Sequence, residues 1–392
     1  MNRGIKILAV FFLAVWLWGI GTVCCYGSTE KGQDKEQNTD QTDPEAAEGM
    51  LEEIEFGEIQ KMVDELLGEQ SFPLKEAVIN MINGEEPISK EAVRGVLYSF
   101  FFSGLENEKT LFFRLLLLVL LAAVLAGFVD VFENGQIGAV SFYVVYLVLF
   151  MMLMEAFGRL SSTLTVRLNW LGEFMKTLAP AYFLAVSTAN GVSTAAVFYE
   201  GVLLLVWMIQ WVLVNFLLPG VNLCILLKMV NYLSKEEMLS KMSELLEVVI
   251  SWALKTLIGL AVGLQVVKNL VAPVMDSLKR TAVGKTAGAI PGIGNAVNAI
   301  TQLILTSAVL VRNSFGAVIL VLIAAAGLQP LIHYGALSLS YRFLAALAQP
   351  VSDKRIVGAL STMGEGCAWL LKLLLTAQIL CMLAFLVLMA GG

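Results

Sequence analysis

Histidine is almost absent from this sequence, since His333 is the only one in 392 residues. A single imidazole excludes metal sites built from several histidines and leaves little room for histidine-based acid–base catalysis. The five cysteines are scattered, without a CxxC pair or metal-ligand spacing, so we expect neither a disulfide framework nor a zinc site. The sequence therefore predicts no catalytic site, no cofactor site and no metal site. The cysteines are Cys24, Cys25, Cys224, Cys367 and Cys381.

Charged residues are also scarce, at 15% of the chain against 58% hydrophobic residues and a mean hydropathy of +0.77. Soluble globular domains carry roughly 25% charged residues, so this composition indicates a chain that lies mostly in a lipid bilayer. The formal net charge of −6 reflects acidic residues concentrated near the N-terminus. No basic patch interleaved with aromatic residues occurs, so we expect no nucleic-acid partner. The composition predicts an all-α polytopic membrane protein.

The N-terminal part divides into three segments. Residues 1–27 have a basic start, an apolar core and a small-x-small cleavage context, which predicts a signal peptide. Residues 28–53 are polar, acidic and poor in aromatics, the signature of a disordered linker. Residues 54–110 contain short amphipathic helical patterns that predict a small helical region. An uncleaved anchor is the alternative to the signal peptide, and both place residues 28–110 on the extracytoplasmic side.

Residues 111–392 are predicted to be the polytopic membrane domain, with about eight membrane helices after the leader. We expect a loop that carries Arg159, Arg167 and Lys176 between two spans, and a break at Pro219. The two densest basic clusters, 268–285 and 342–355, should both be cytoplasmic by the positive-inside rule. The predicted spans include 115–132, 137–157, 201–218, 248–267 and 369–389, while the less apolar 178–198 is either a full span or a re-entrant segment.

A faint internal repeat relates 175–272 to 286–390. Lys176-Thr177 followed by Pro180 is matched by Lys285-Thr286 followed by Pro291. If each unit holds three spans, the two units have opposite orientations, which is the inverted-repeat arrangement of many transporters. Chance similarity between leucine-rich segments is the alternative.

The stretch 279–330 is predicted to be the packed centre of the membrane domain. Gly284, Gly288 and Gly292 recur every four residues, a spacing that lets helix backbones approach closely in lipid. Pro291 interrupts this segment, and Pro330 is predicted to break the apolar run that follows. Freed backbone groups at such breaks must be satisfied by protein or water.

Few ionisable residues fall at membrane depth, where charge is costly and usually faces a polar cavity or a partner charge. They are Glu155, Glu200, Arg312 and Lys372, and Asn313 adjoins Arg312. In the repeat register Glu200 and Arg312 occupy nearly equivalent places, so we consider an ion pair between them. Alternatively, Glu200 lies in the turn before Gly201.

Four short segments carry a resemblance to a known family. They are GKTAGAIP at 284–291, LVRNSFG at 310–316, QPVSDKRIV at 349–357 and EFGEIQ at 55–60. On these segments the chain resembles the stage III sporulation protein AE family of endospore-forming bacteria, from about residue 50 onward. The segments are specific to that family but carry no chemistry, so the resemblance implies no catalytic or ligand residues.

The resemblance implies a membrane component of the channel between mother cell and forespore. That apparatus is similar to specialised secretion systems and sustains late forespore gene expression after engulfment. The chain would then be a multi-pass protein of the mother-cell membrane around the forespore, with its N-terminal region in the intermembrane space. Its expected partners are the other membrane proteins of the same operon and the forespore protein Q.

Two other functions are weighed against this one. The inverted repeat favours a stand-alone permease for a small solute, with a midplane site lined by Thr188, Asn190, Ser193, Asn295 and Asn298. An intramembrane enzyme is disfavoured by the single histidine and the lack of clustered acids. The Gly-rich stretch also leaves open a homo-oligomer in the bilayer, since close packing can join copies of the chain.

Overall fold

The computed structural model describes residues 49, 51, 56–67, 73–83, 113–114, 116–117, 120, 135–190, 192–233, 239–283, 294–350 and 352–390. Every regular element in these residues is helical, which confirms the all-α prediction. The leader and nearly all of the acidic linker lie outside them and stay predictions. The helices are α1 (Gly57–Leu67), α2 (Leu74–Ile82), α3 (Gly135–Asn190), α4 (Val192–Val212), α5 (Leu218–Asn231), α6 (Ser240–Val283), α7 (Gly294–Ala348) and α8 (Lys354–Ala390).

Helix α3 joins two predicted spans into one element. Its 56 residues correspond to about 84 Å at 1.5 Å per residue. The predicted loop with Arg159, Arg167 and Lys176 is therefore wrong, because these residues lie within the helix. The exposed polar side chains lie along one face of α3, and the opposite face is buried. The helix can therefore carry several charged residues without a break.

Proline does not end the long helices. Pro180 lies inside α3 and Pro330 inside α7, so the predicted break at Pro330 is wrong. A proline removes one backbone hydrogen bond and crowds the preceding turn, and this can kink a helix without ending it. The 55 residues of α7 form one helix on both sides of Pro330.

A π turn at Leu213–Leu217 accommodates Pro219, where the sequence predicts a break. The N–H of Leu218 bonds to the carbonyl of Leu213, five residues earlier, which widens the helix by one residue. Pro219 then occupies the first turn of α5, where its missing N–H costs little. The chain therefore continues in helical conformation from α4 into α5.

Five helices in the described residues are long and apolar enough to cross a membrane. The predicted count of about eight is not confirmed. Spans merge in α3 and α7, and the predicted span 115–132 lies almost entirely outside the described residues. The candidate spans are Tyr143–Phe183, Glu200–Asn231, Ser240–Gly263, Thr306–Ala348 and Lys354–Leu386.

Contacts along the helices give their directions. Helix α8 runs antiparallel to α7, because Gly364 approaches Ser338 while Gln378 bonds to Ile323. It also runs antiparallel to α5, in which Tyr232 lies just past the C-terminal end and approaches Gly358. Helix α6 returns from α5 through a short connection. Within the described helices, α5 and α7 therefore share one direction, and α6 and α8 share the other.

These directions bear on two predictions from the sequence. The inverted repeat of 175–272 and 286–390 is not confirmed, because the corresponding helices α5 and α7 run the same way. The basic clusters 268–285 and 342–355 lie toward opposite ends of α7, a single helix over 294–348. The prediction that both clusters are cytoplasmic stays a prediction.

Helix α8 occupies the centre of the bundle and packs against α3, α4, α5, α6 and α7. From Arg355 to Leu386 none of its residues is exposed. At one end its Phe385 packs against Tyr182 of α3, which in turn contacts Phe315 of α7.

The N-terminal helices pack on this end of the bundle. Helix α2 lies against α7 and α1 against α3, with Phe56 edge-on to Phe315 at 5.4 Å. Their inner faces are buried, including Ile59, Val63 and Val78. A region this small gains most of its burial from such packing. Its extracytoplasmic position stays a prediction.

Candidate functional site: a charged layer between three helices

Three charged side chains from three helices meet inside the bundle. Lys228 lies in the last turn of α5, and its Nζ atom is 2.5 Å from Oε1 of Glu247 on α6. The same Nζ atom is 2.9 Å from Oε2 of Glu365 on α8. One ammonium group therefore bridges two carboxylates and ties α6 to α8 through α5.

Trp369 and Lys372 extend this cluster along α8. The indole Nε1 of Trp369 donates a hydrogen bond to Oε1 of Glu247 over 3.3 Å. The Nζ atom of Lys372 lies over the Trp369 ring, 3.8 Å from its centroid, which is within cation–π distance. We call Lys228, Glu247, Glu365, Trp369 and Lys372 the charged layer. Its two positive and two negative formal charges balance.

Helix α7 makes its closest approach to α8 at the same level. The hydroxyl of Ser338 donates to the carbonyl of Gly364 over 2.7 Å. A Cβ atom on Gly364 would lie 3.1 Å from the Ser338 carbonyl oxygen and 2.8 Å from Cγ of Arg342. The lack of a side chain at Gly364 therefore allows the backbones to touch beside Glu365.

On α8 the charged layer lies within the candidate span, whereas Lys228 and Glu247 lie three and seven residues from the ends of theirs. Glu365 is 11 residues and Lys372 is 18 residues beyond Lys354, the first residue of α8, or about 16 Å and 27 Å along the helix. The hydrocarbon core of a bilayer is about 30 Å thick. Charge at this depth is expensive unless it meets opposite charge, water or a polar partner.

The side chains of the charged layer are partly exposed, and this exposure bears on the role of the layer. The exposed fraction of the side chain is 22% for Lys228, 30% for Glu247 and 41% for Glu365. These side chains therefore reach whatever surrounds the bundle. None of the five carries a hydroxyl, thiol or imidazole, so the layer is suited to positioning helices and presenting charge.

A small cavity separates α3, α4 and α8. Its volume is about 30 Å³, and its lining is almost entirely apolar, with Cys381 and Leu380 on α8. This space is small and apolar, so it offers no path for a solute between these three helices. Within the described part of the chain, no group of three His, Cys, Asp or Glu side chains is arranged to hold a metal ion.

The site residues predicted from the sequence do not join the charged layer, apart from Lys372. Glu200 is exposed near the start of the second candidate span. Arg312 donates to Oδ1 of its neighbour Asn313 over 3.3 Å. Among the described residues, Glu200 and Arg312 do not form the ion pair that the sequence suggested. Pro330 lies inside α7.

The Gly-rich segment itself lies outside the described residues. Gly284, Gly288, Pro291 and Gly292 therefore stay predictions as packing or channel residues. The same holds for the permease site that the sequence suggests, because the structure does not describe the side chains of Thr188, Asn190, Ser193, Asn295 and Asn298.

Sequence reasoning missed Lys228, Glu247 and Glu365 as a set. None of the three was singled out from the sequence. Lys228 and Glu365 are 137 positions apart, so only the packing of α5 against α8 brings them together. The available signal was that Lys228 and Glu365 are each an isolated charge within a largely apolar run.

Comparisons with known proteins were made for the whole chain. The sequence profile of the family described as stage III sporulation protein AE matches residues 72–392. The chain is 22% identical over 371 residues to the Stage III sporulation protein AE of Bacillus subtilis (strain 168). That alignment covers 93% of this chain and 92% of the relative. No solved structure matches.

Proposed function

The chain belongs to the stage III sporulation protein AE family, and on that basis we propose that it is a non-enzymatic membrane component of the channel between mother cell and forespore. In this role it helps to build a secretion-like complex needed during endospore formation. The family match over residues 72–392 carries the proposal, because it includes all five candidate membrane spans.

The packing of the bundle supports a structural role in an assembly. Helix α8 is enclosed by five other helices, and the cavity beside it measures only about 30 Å³. A passage for solutes would therefore lie between this chain and its neighbours. The charged layer supports the same view, because the side chain of Glu365 is paired with Lys228 and yet 41% exposed to whatever surrounds the bundle.

The proposal includes a location and partners. The chain is a multi-pass protein of the mother-cell membrane around the forespore, with its N-terminal helices in the intermembrane space. Its partners are the other membrane proteins of the same operon and the forespore protein Q. Packing of α1 and α2 on one end of the bundle is consistent with a surface that meets proteins from the opposite membrane.

Forespore gene expression after engulfment tests this function. A late forespore reporter should fall to background in sporulating cells that lack the chain and recover when it is supplied in the mother cell. Supply in the forespore alone should not restore it. A normal reporter without the chain would contradict the proposal.

Cysteine crosslinking tests the assembly. All five native cysteines are replaced, and the variant is first shown to sustain the reporter. Single cysteines are then introduced from Ala287 to Thr306. Crosslinks between copies or to proteins of the same operon support a channel component.

A stand-alone permease is the second candidate, favoured by the partly exposed charges within a candidate span. Purified chain in sealed liposomes should then transport a small solute without partners. Water-soluble thiol reagents would reach one helical face between Ala287 and Thr306, with no intermolecular crosslinks. We expect neither result, and obtaining both would replace the channel component by the permease.

A further inference from the structure

Helix α3 has an outer face unlike that of any other candidate span. Between positions 155 and 176 nine of its residues are exposed, and seven of the nine are polar or charged. They recur at helical spacing and so form one stripe, while Leu160, Leu164 and Leu168 on the opposite face are buried. We call this face the polar stripe. Its members are Glu155, Gly158, Arg159, Ser162, Thr163, Val166, Asn169, Glu173 and Lys176.

The polar stripe is as long as the hydrocarbon core of a bilayer is thick, so it cannot lie wholly within one membrane interface. From Glu155 to Lys176 it rises 21 residues, or about 32 Å, against a hydrocarbon core of about 30 Å. The charges lie toward its ends, Glu155 and Arg159 at one and Glu173 and Lys176 at the other. Ser162, Thr163 and Asn169 lie between them.

The neighbouring helices fix the level of the polar stripe. Gly172 of α3 lies against Gln210 of α4, and Phe157 of α3 and Ile225 of α5 both contact Gly366. The stripe therefore runs beside the segment from 210 to 225. Around this level the exposed side chains of α4 and α5 are apolar except for Asn215, as expected for a face toward lipid. The large apolar ones are Leu204, Trp207, Trp211, Phe216 and Leu223.

Charged side chains near the ends of a span often reach back to the membrane surface, but α3 does not allow this at its first end. Its outer face before the polar stripe is apolar, with Val144, Leu147 and Met151 exposed. Arg159 lies eight residues beyond Met151, or about 12 Å further along the helix. Placing Arg159 at the surface would push that apolar segment into water.

From these observations we infer that the polar stripe of α3 faces water at bilayer depth and forms one wall of an aqueous passage outside the single-chain bundle. Polar side chains on a membrane helix are stable when they line water or meet polar partners. Val166, which is 65% exposed in the middle of the stripe, lies in this wall.

Water fits this face better than a second copy packed directly against it. Copies related by an axis normal to the membrane present identical residues at the same depth. Dry contact would then bring Glu155 toward Glu155 and Lys176 toward Lys176. A hydrated space between copies screens these like charges and forms successive rings of acidic and basic groups.

This inference rests on the proposed function, and thiol labelling tests it separately from that function. Single cysteines replace Ser162, Val166 or Asn169 in the cysteine-free full chain, within membranes of sporulating cells. The controls are Trp211→Cys and Phe216→Cys, two exposed apolar positions of the chain at the same depth as the stripe. A charged, membrane-impermeant methanethiosulfonate is the probe, since it reacts with thiolates in water and hardly at all in lipid.

The three stripe positions should label at least about tenfold faster than the two controls, because only they face water. Slow labelling at all five positions would overturn the inference, as would labelling at Val166 that is no faster than at the two controls. Equally fast labelling at all five would also overturn it, because this level would then lie outside the bilayer. Every variant is scored for the forespore reporter, so a failed labelling pattern with an intact reporter rejects the passage wall and leaves the proposed function standing.

Discussion

Helices α6 and α8 are almost equally apolar, yet they occupy opposite environments. Their candidate spans have mean hydropathies of 1.9 and 2.0, but 17% of the α6 window is buried against 56% of the α8 window. Lipid is as apolar as a protein core, so hydropathy cannot separate a central helix from a peripheral one. Small and polar residues make the distinction: α8 buries Gly364, Gly366 and Gln378, whereas α6 exposes Val248 and Trp252.

Substitution of matched glycines should give the largest contrast between the two helices. We expect Gly364→Val on α8 to lower the free energy of unfolding by about 3 kcal/mol, because a Cβ there already meets the backbone of α7. Gly259→Val on α6 meets nothing within 4 Å and should change it little. Reversible unfolding in mixed micelles measures both. Equal losses would show that α7 and α8 are not in backbone contact.

The charged layer joins α6 to α8, so substitutions there test whether α6 is peripheral along its whole length. Lys228→Met leaves Glu247 and Glu365 together without their cation, and we expect a loss of about 2 kcal/mol after allowing for their partial exposure. Lys241→Met is the control, because Lys241 is 90% exposed and its ion pair with Glu244 lies within one turn of the same helix.

The same unfolding assay measures the ion pairs directly through a double-mutant cycle. Lys228→Met should be much less harmful when Glu247 is already Gln, because fewer charges are then left uncompensated. Strict additivity of the two substitutions would contradict the pairing.

A buried hydrogen bond gives a smaller contrast. The side-chain amide of Gln378 on α8 donates to the carbonyl of Ile323 on α7. Gln378→Leu should cost about 1 kcal/mol, the scale of hydrogen bonds between membrane helices. Thr256→Val on α6 is the control, since that exposed hydroxyl bonds only to Trp252 of its own helix. We expect Gln378→Leu to lower the free energy of unfolding more than Thr256→Val does. Equal losses would show that the buried hydrogen bond between α7 and α8 contributes no more than an exposed one on α6.

Exposed tryptophan should give the smallest effect. Trp252 of α6 is 67% exposed, so Trp252→Ala should leave the unfolding free energy of the isolated chain unchanged. Trp369→Ala on α8 removes a hydrogen bond to Glu247 and should be measurably destabilising. If Trp252→Ala destabilises the chain as much as Trp369→Ala does, then α6 packs more closely against the bundle than its exposure indicates.

The sequence was sufficient to predict the class of fold but not the number of crossings. Composition alone predicts an all-α membrane protein, because a helix satisfies its backbone in lipid without help from other segments. The division of α3 into two spans was wrong because a hydropathy window averages over all residues in it. Arg159 and Lys176 lower that average whichever face of the helix they occupy. Helical periodicity would have shown both on one face.

The charged layer could be predicted only in part. Lys372 was noted as an ionisable residue at membrane depth, whereas its neighbours Glu247 and Glu365 were not grouped with it. Their grouping depends on three helices meeting, and no spacing along the chain encodes that meeting. The Gly-rich segment 284–292 was the most distinctive in the sequence, and its role stays a prediction.

The π turn before Pro219 sets the rotational phase of everything after it. A turn with one extra residue advances the following helix by about 100° relative to an uninterrupted α-helix. Lys228 points toward Glu365 in the phase that this turn provides. Removing one residue from 213–217 would cancel the advance and aim Lys228 about a quarter-turn away. This one π turn therefore sets the rotational orientation that directs Lys228 of α5 toward α8 at the centre of the bundle.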